Sequence, residues 1–175
     1  MMQRRIVIEA VMIAIHGQML VPKRPVEYLI PYSTVHELYE MKDSDDPILP
    51  DADEDKHVRK IIGDLIQFFE DPFNRKKIER SLQSPWKFSP PMPVNERVSL
   101  TVVNAMENMQ FGEMFDPVET ELILLAQREA APIVTDQLEF VDKVVEAGIE
   151  VEVYDIEDFE FAVEGGITVE DVDRL

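Results

Sequence analysis

Residues 131–155 read "APIVTDQLEFVDKVVEAGIEVEVYD". The short β-branched run Ile133-Val134-Thr135 predicts a buried strand. "LEFVDKVVEAG" carries apolar residues at helical spacing and ends in Gly148, a helix stop. "IEVEVYD" alternates apolar and acidic residues, the period of a second strand. A strand, a helix and a second strand in this order predict a parallel crossover unit. The first strand closes on Thr135-Asp136-Gln137, which puts a carboxylate at its carboxyl end. Open α/β sheets bind their ligands beyond that end.

The same alternation extends outward from this stretch. "DPVETELILLAQREA" before it reads as a helix with Asp116 as N-cap and Pro117 at the first helical position. "IEDFEFAVEGG" after it reads as a short helix. At the other end, "RRIVIE" over 4–9 reads as a short buried strand, "AVMIAIHGQML" as an apolar helical stretch and "VEYLIP" over 26–31 as a second strand. "VHELYEM" follows as a helix, with Ser33 and Thr34 as candidate caps. Residues 43–55 read as an acidic, proline-containing loop. "HVRKIIGDLIQFFEDP" and "NRKKIERSL" read as two helices, and "SPWKFSPPMPVNE" as an irregular segment. A cap at Asn95 predicts a further helix through "RVSLTVVNAMENM". The whole predicts one domain of α/β class, a mostly parallel sheet covered by helices, with a helical insertion at about 56–97.

Composition narrows the setting. With 175 residues, 45% of them hydrophobic, the chain can bury a real core. It has no cysteine, which excludes disulfides and thiolate metal sites and fits a cytoplasmic setting. No run of the sequence is long enough to span a membrane. Net charge is −19, but unevenly spread. Residues 56–97 hold nine lysines and arginines against five acids, a net +4; the rest holds eight against 31, a net −23. The chain is an acidic body with one mildly basic section.

Several acids fall where a parallel sheet gathers its strand ends: Glu9, Glu37, Glu119, Glu121 and Asp136. Converging carboxylates repel one another unless a cation joins them. Oxygen ligands without His or Cys suit Mg²⁺ or Mn²⁺, which can activate water for attack on phosphate. With 36 acids in the chain, solvated surface is the ordinary use of any one of them. Asp116 and Glu119 have a second ordinary use, since acids are favoured at a helix N-terminus.

Four pieces, in order, resemble the PIN domain superfamily of metal-dependent ribonucleases. "RRIVIEA" is similar to its opening strand, "YLIPYSTVHEL" to its second strand and acidic helix, "ETELILLAQREAAPIVTD" to its third acidic helix and following strand, and "LEFVDKVVEAGIEVEVYD" to its closing helix and strand. The resemblance implies a three-layer PIN-like fold and metal-dependent hydrolysis of RNA phosphodiesters, leaving 5′-phosphate and 3′-hydroxyl ends. Glu9, Glu37, Glu119, Glu121 and Asp136 would be the catalytic acids, and Glu9, Glu37, Glu119 and Asp136 the ligands of Mg²⁺ or Mn²⁺. The helical insertion resembles that of the minimal protein-only RNase P group, which implies a structured or tRNA-like substrate and homo-oligomers. This chain departs from the pattern in having Glu at 9, 119 and 121 where the superfamily has Asp, and Gln137 where it often has an acid. One added methylene moves a carboxylate by about a bond length, and misplacement on that scale costs about 10²-fold in rate.

The remaining candidates carry ordinary readings beside functional ones. His16, His36 and His57 are isolated in the sequence. Arg75, Lys76, Lys77 and Arg80 are candidate RNA contacts, or a solvated helix face. Trp86 can stack on a base, or pack its loop onto the body. Three functions therefore stay open: a Mg²⁺- or Mn²⁺-dependent ribonuclease; a catalytically inactive PIN-like protein that binds RNA or a protein partner; and an α/β interaction module whose acids serve solubility.

Overall fold

The computed structural model describes residues 4–106 and 109–163, except the side chains of 109, 110 and 112. Residues 107–108 of the expected "RVSLTVVNAMENM" helix and 164–166 of "IEDFEFAVEGG" lie outside the described residues.

Six strands form one sheet: β1 (Arg4–Val7), β2 (Val26–Pro31), β3 (Met92–Pro93), β4 (Val98–Val103), β5 (Ile133–Val134) and β6 (Val153–Tyr154). Their order is β3-β4-β2-β1-β5-β6. All pairs are parallel except β3 with β4. Among the described residues seven α-helices surround it: α1 (Ala10–Ile15), α2 (Tyr32–Asp43), α3 (Ala52–Glu70), α4 (Pro72–Ser81), α5 (Pro117–Glu129), α6 (Leu138–Glu146) and α7 (Ile156–Val163). The architecture is a three-layer α/β fold.

Side chains alternate across the sheet with period two and build a core on each face. Ile6, Ile8, Tyr28, Ile30, Leu100 and Val102 pack with α1, α2, α3 and α7 on one side. Val7, Leu29, Val103 and Ile133 pack with Leu122, Ile123 and Leu125 of α5 and Phe140 of α6 on the other. Burial on both faces is why these strands read as nearly continuous apolar runs. Leu29 and Leu100 are both fully buried, and each such side chain stabilises the fold by about 2 kcal/mol. No described helix is long and apolar enough to cross a membrane.

The expected helix after Asn95 is instead β4, paired with β2 over six residues from Val26↔Val98 to Pro31↔Val103. The Asn95 side chain accepts from the N–H groups of Arg97 and Val98, so it shapes a turn and caps nothing helical. Four of the six residues of "VSLTVV" are β-branched, and all six are buried, as a central strand requires. The proline-rich segment also joins the sheet through Met92 and Pro93. Proline is tolerated there because β3 is an edge strand. The helical part of the insertion is therefore Ala52–Ser81, shorter at its end and longer at its start than expected. Asp51 caps α3 by accepting from Glu54 N, inside what reads from sequence as loop.

Two hinges of topology place the strand ends. From β1 the chain moves outward through β2 to β4, then α5 carries it back to β5 on the other side of β1. β1 and β5 therefore flank the point where the chain reverses direction in the sheet, the place where ligands bind in such folds. Gly148 takes φ +66, a left-handed conformation that releases the chain from α6 toward β6.

Candidate functional site

Glu9 is separated from the end of β1 by Ile8 alone and is the N-cap residue of α1, yet its side chain makes no capping bond. The first helical N–H, of Ala10, is taken by Thr34 Oγ1 at 3.1 Å. Thr34 Oγ1 also donates to Pro31 O at 2.9 Å. Thr34 thus fixes the start of α1 to the start of α2 and leaves the Glu9 carboxyl unused. Ser33 and Thr34 do not cap α2, whose N-cap is Pro31. The Ser33 hydroxyl donates instead to Glu121 across the site.

Glu9, Glu37, Asp116, Glu119 and Gln137 line one cleft of about 650 Å³. Its apolar wall includes Val11, Ile15, Met41 and Ile48. The cleft sits beyond the carboxyl ends of β1 and β5, at the reversal point. Burial pushes the Glu9 carboxyl up to about 7, with further upward pushes from Glu37, Asp116, Asp136 and Glu119 in that order. Burial also raises Glu37, helped by Glu40 and Asp116 and opposed by His36. Neither Glu9 nor Glu37 has a hydrogen-bond or ion-pair partner among the described residues.

The other acids are engaged. Glu119 closes a capping box with Asp116, each side chain accepting from the other's backbone N–H. Its Oε1 also meets Lys143 Nζ at 2.6 Å. Glu121 is buried against Ser33 and is not among the cleft-lining residues. Asp136 Oδ2 lies 3.0 Å from His16 Nε2. His16 is thus not isolated: a contact spanning 120 residues of chain brings it to the strand end. Gln137, rather than Asp136, faces the cleft. Asp116, read from sequence as a helix cap, serves as one and lines the cleft as well. Its Asp-Pro-x-Glu spacing announces the cap, and nothing local announces the second role.

The polar side chains that line this cleft offer carboxylate and amide oxygens and no imidazole or thiolate, which suits a hard divalent cation. The raised, unpartnered Glu9 carboxyl is the observation that fits one: a cation beside it would offset the repulsion it feels. Among the described residues, no group of three or more His, Cys, Asp or Glu side chains is arranged to hold a metal ion. The cleft thus offers carboxylates and not a closed cage. Mg²⁺ commonly binds through one or two carboxylates and keeps its waters.

The basic section divides in two. Arg59 donates to the carbonyls of Met41, Ser44 and Asp46 and to Asp55, tying α3 to the end of α2. Arg97 holds the carbonyls of Pro22 and Lys23. Lys77 donates to Pro91 O at 3.2 Å. On α4, Arg75 pairs loosely with Glu79 at 3.5 Å, while Lys76 and Arg80 are exposed. Arg75 borders a groove of about 530 Å³ with His36 and Tyr39 of α2, the helix that carries Glu37. Trp86 lies under the Arg128 guanidinium, 3.9 Å from ring centroid to Cζ, and packs against the core. His57 is exposed on α3 and is not among the cleft-lining residues.

No protein-family model matches the chain. No curated protein matches it significantly either.

Proposed function

We propose that the chain is a divalent-cation-dependent endoribonuclease of PIN-like type, with its site in the cleft between β1 and β5. The observation that carries this reading is Glu9: a carboxyl without a partner among the described residues, raised to about 7 by burial, in a cleft shared with Glu37, Asp116 and Glu119 at the reversal point of a parallel sheet. Glu9 and Glu37 would hold Mg²⁺ or Mn²⁺ through one or two carboxylates, the rest of the ion's shell being water. When bound, such an ion supplies an activated water and charge neutralisation at phosphate. Glu9 and Glu37 orient toward the scissile group because Thr34 fixes α1 to α2. The apolar wall of Val11, Ile15 and Ile48 limits water on one side of the cleft. Asp136, held by His16, and Glu119, held by Lys143, add negative potential without being free to rotate. Lys76 and Arg80 on α4, with Arg75 beside them, would hold RNA phosphates outside the cleft and offset the repulsion of a chain of net charge −19.

The test is cleavage of end-labelled single-stranded and structured RNA in Mn²⁺, with Glu9→Gln and Glu37→Gln as controls. Cleavage that needs the metal and both acids supports the reading; equal cleavage by the variants contradicts it.

One set of observations favours a second reading, a PIN-like protein that binds RNA or a partner without cleaving. Glu119 and Asp136, two of the four expected metal ligands, are already engaged, by Lys143 and His16. Stabilisation by Mn²⁺ without cleavage of any RNA tested would favour it.

A further inference from the structure

The groove beside α4 lies across α2 from the acidic cleft and has a volume of about 530 Å³. Pockets that take small ligands span ~300–1,000 Å³. Tyr32, His36 and Tyr39 line it, and their i, i+4, i+7 spacing puts three rings on one face of α2. Phe69 of α3 and Ile78 of α4 line it too and are buried, which gives it an apolar floor. At its rim stands Arg75, its side chain 71% exposed, with Lys76 and Arg80 exposed beside it on α4. Both acids of the groove are engaged: Glu70 accepts from the Tyr39 hydroxyl at 3.1 Å, and Glu79 meets Arg75 at 3.5 Å. Burial, then the bond to Glu70, pushes the Tyr39 hydroxyl up to about 12, so this ring stays neutral.

We propose that this groove is a base-binding subsite that takes one unpaired nucleobase of single-stranded RNA. Rings within and cations at the rim match the two halves of a nucleotide, a flat π-faced base and a charged phosphate. A base inside a duplex is covered on both faces by its neighbours and cannot enter, whereas an unpaired base can. Placement ties the groove to the cleft. His36 and Glu37 are consecutive on α2 and point about 100° apart, so one helix presents rings to the groove and a carboxylate to the cleft. An RNA strand that crosses this ridge seats a base on one side and offers a phosphate to the acids on the other. The inference rests on the proposed ribonuclease function and narrows its substrate class to RNA that is unpaired at the cleavage site.

The experiment measures RNA binding by fluorescence anisotropy and NMR, on the whole protein, with EDTA present so that no strand is cut. The probes are a labelled oligoadenylate and a fully paired RNA duplex of equal length. The single strand should bind about tenfold more tightly than the duplex and should move the ring protons of Tyr32, His36 and Tyr39 upfield. His36→Ala, a change at an exposed position, should weaken the single strand by about fivefold and leave its salt slope unchanged, since stacking releases no counterions. Arg75→Ala should instead lower that slope by about one. His36→Tyr keeps a ring and should restore the affinity. Equal binding of duplex and single strand, or ring protons that stay still while the strand binds, overturns the subsite and leaves the ribonuclease reading standing. No binding of either RNA at low salt overturns both.

Discussion

The two walls of the cleft carry the same residue type and opposite chemistry. On the α1–α2 wall, Glu9 and Glu37 have no partner among the described residues, and burial raises both. On the α5–α6 side, Glu119, which lines the cleft, has Lys143, while Glu121 and Asp136, which do not, have Ser33 and His16. Asp116 stands between them, capping α5 with one oxygen and facing the cleft. An acid's position at a strand end thus decides less than the donors that the neighbouring helices bring to it. One side brings its own donors to its acids, while the other has none among the described residues.

The sharpest way to break this contrast is by rate. Glu9→Gln and Glu37→Gln should each slow Mn²⁺-dependent RNA cleavage by about 10²-fold or more, the scale on which a site loses a charge it uses directly. Glu121→Gln should stay within about tenfold, since Glu121 does not face the cleft. A larger loss from Glu121→Gln than from Glu37→Gln would reverse the assignment of the walls.

Stability against pH comes next. The unfolded chain releases a Glu proton near 4.5, whereas folded Glu9 holds it to about 7. Between those values the folded state binds more protons, so stability falls as pH rises through the window. Without metal, Glu9→Gln should therefore stabilise the chain above pH 8 by up to about 3 kcal/mol, and the gain should vanish below pH 4.5. Chemical denaturation at pH 4.5 and 8 reads it directly. Destabilisation by Glu9→Gln at pH 8 would mean that Glu9 has a partner after all.

On the paired wall the expected signs reverse. Lys143→Met should cost about 2 kcal/mol, because it strands a nearly buried carboxylate. Ser33→Ala takes one donor from buried Glu121 and should cost about 1 kcal/mol. Smallest of all, Lys76→Ala and Arg80→Ala should leave stability within about 0.5 kcal/mol. Each should weaken RNA binding and reduce the salt slope by about one. An unchanged salt slope would remove α4 from the RNA path.

Much of the fold is legible in the sequence because both faces of the sheet are buried and the crossovers are punctuated. "VEYLIP" gives β2 residue for residue, Asp116-Pro117 gives the start of α5, and Gly148 marks the end of α6. "VSLTVV" misleads because a fully buried strand and a buried helix are both continuous apolar runs, and Asn95 before it looks like a cap when it is a turn. The acids at strand ends are legible as a set, since the alternation of elements brings them to one edge. Which of them are free is not. His16 reaches Asp136 across 120 residues and Lys143 reaches Glu119 across 24. Only packing of α1 and α6 against the sheet creates those pairs, and no local spacing encodes them.

The central claim is that the Glu9–Glu37 wall is completed by a divalent cation. The most direct measurement is an NMR titration of the Glu9 side-chain carboxyl, with and without millimolar Mg²⁺. Without metal it should titrate near 7, and with Mg²⁺ it should fall into the ordinary carboxylate range, because a bound cation favours the charged form. A Glu9 carboxyl that titrates near 7 in both conditions would contradict the account.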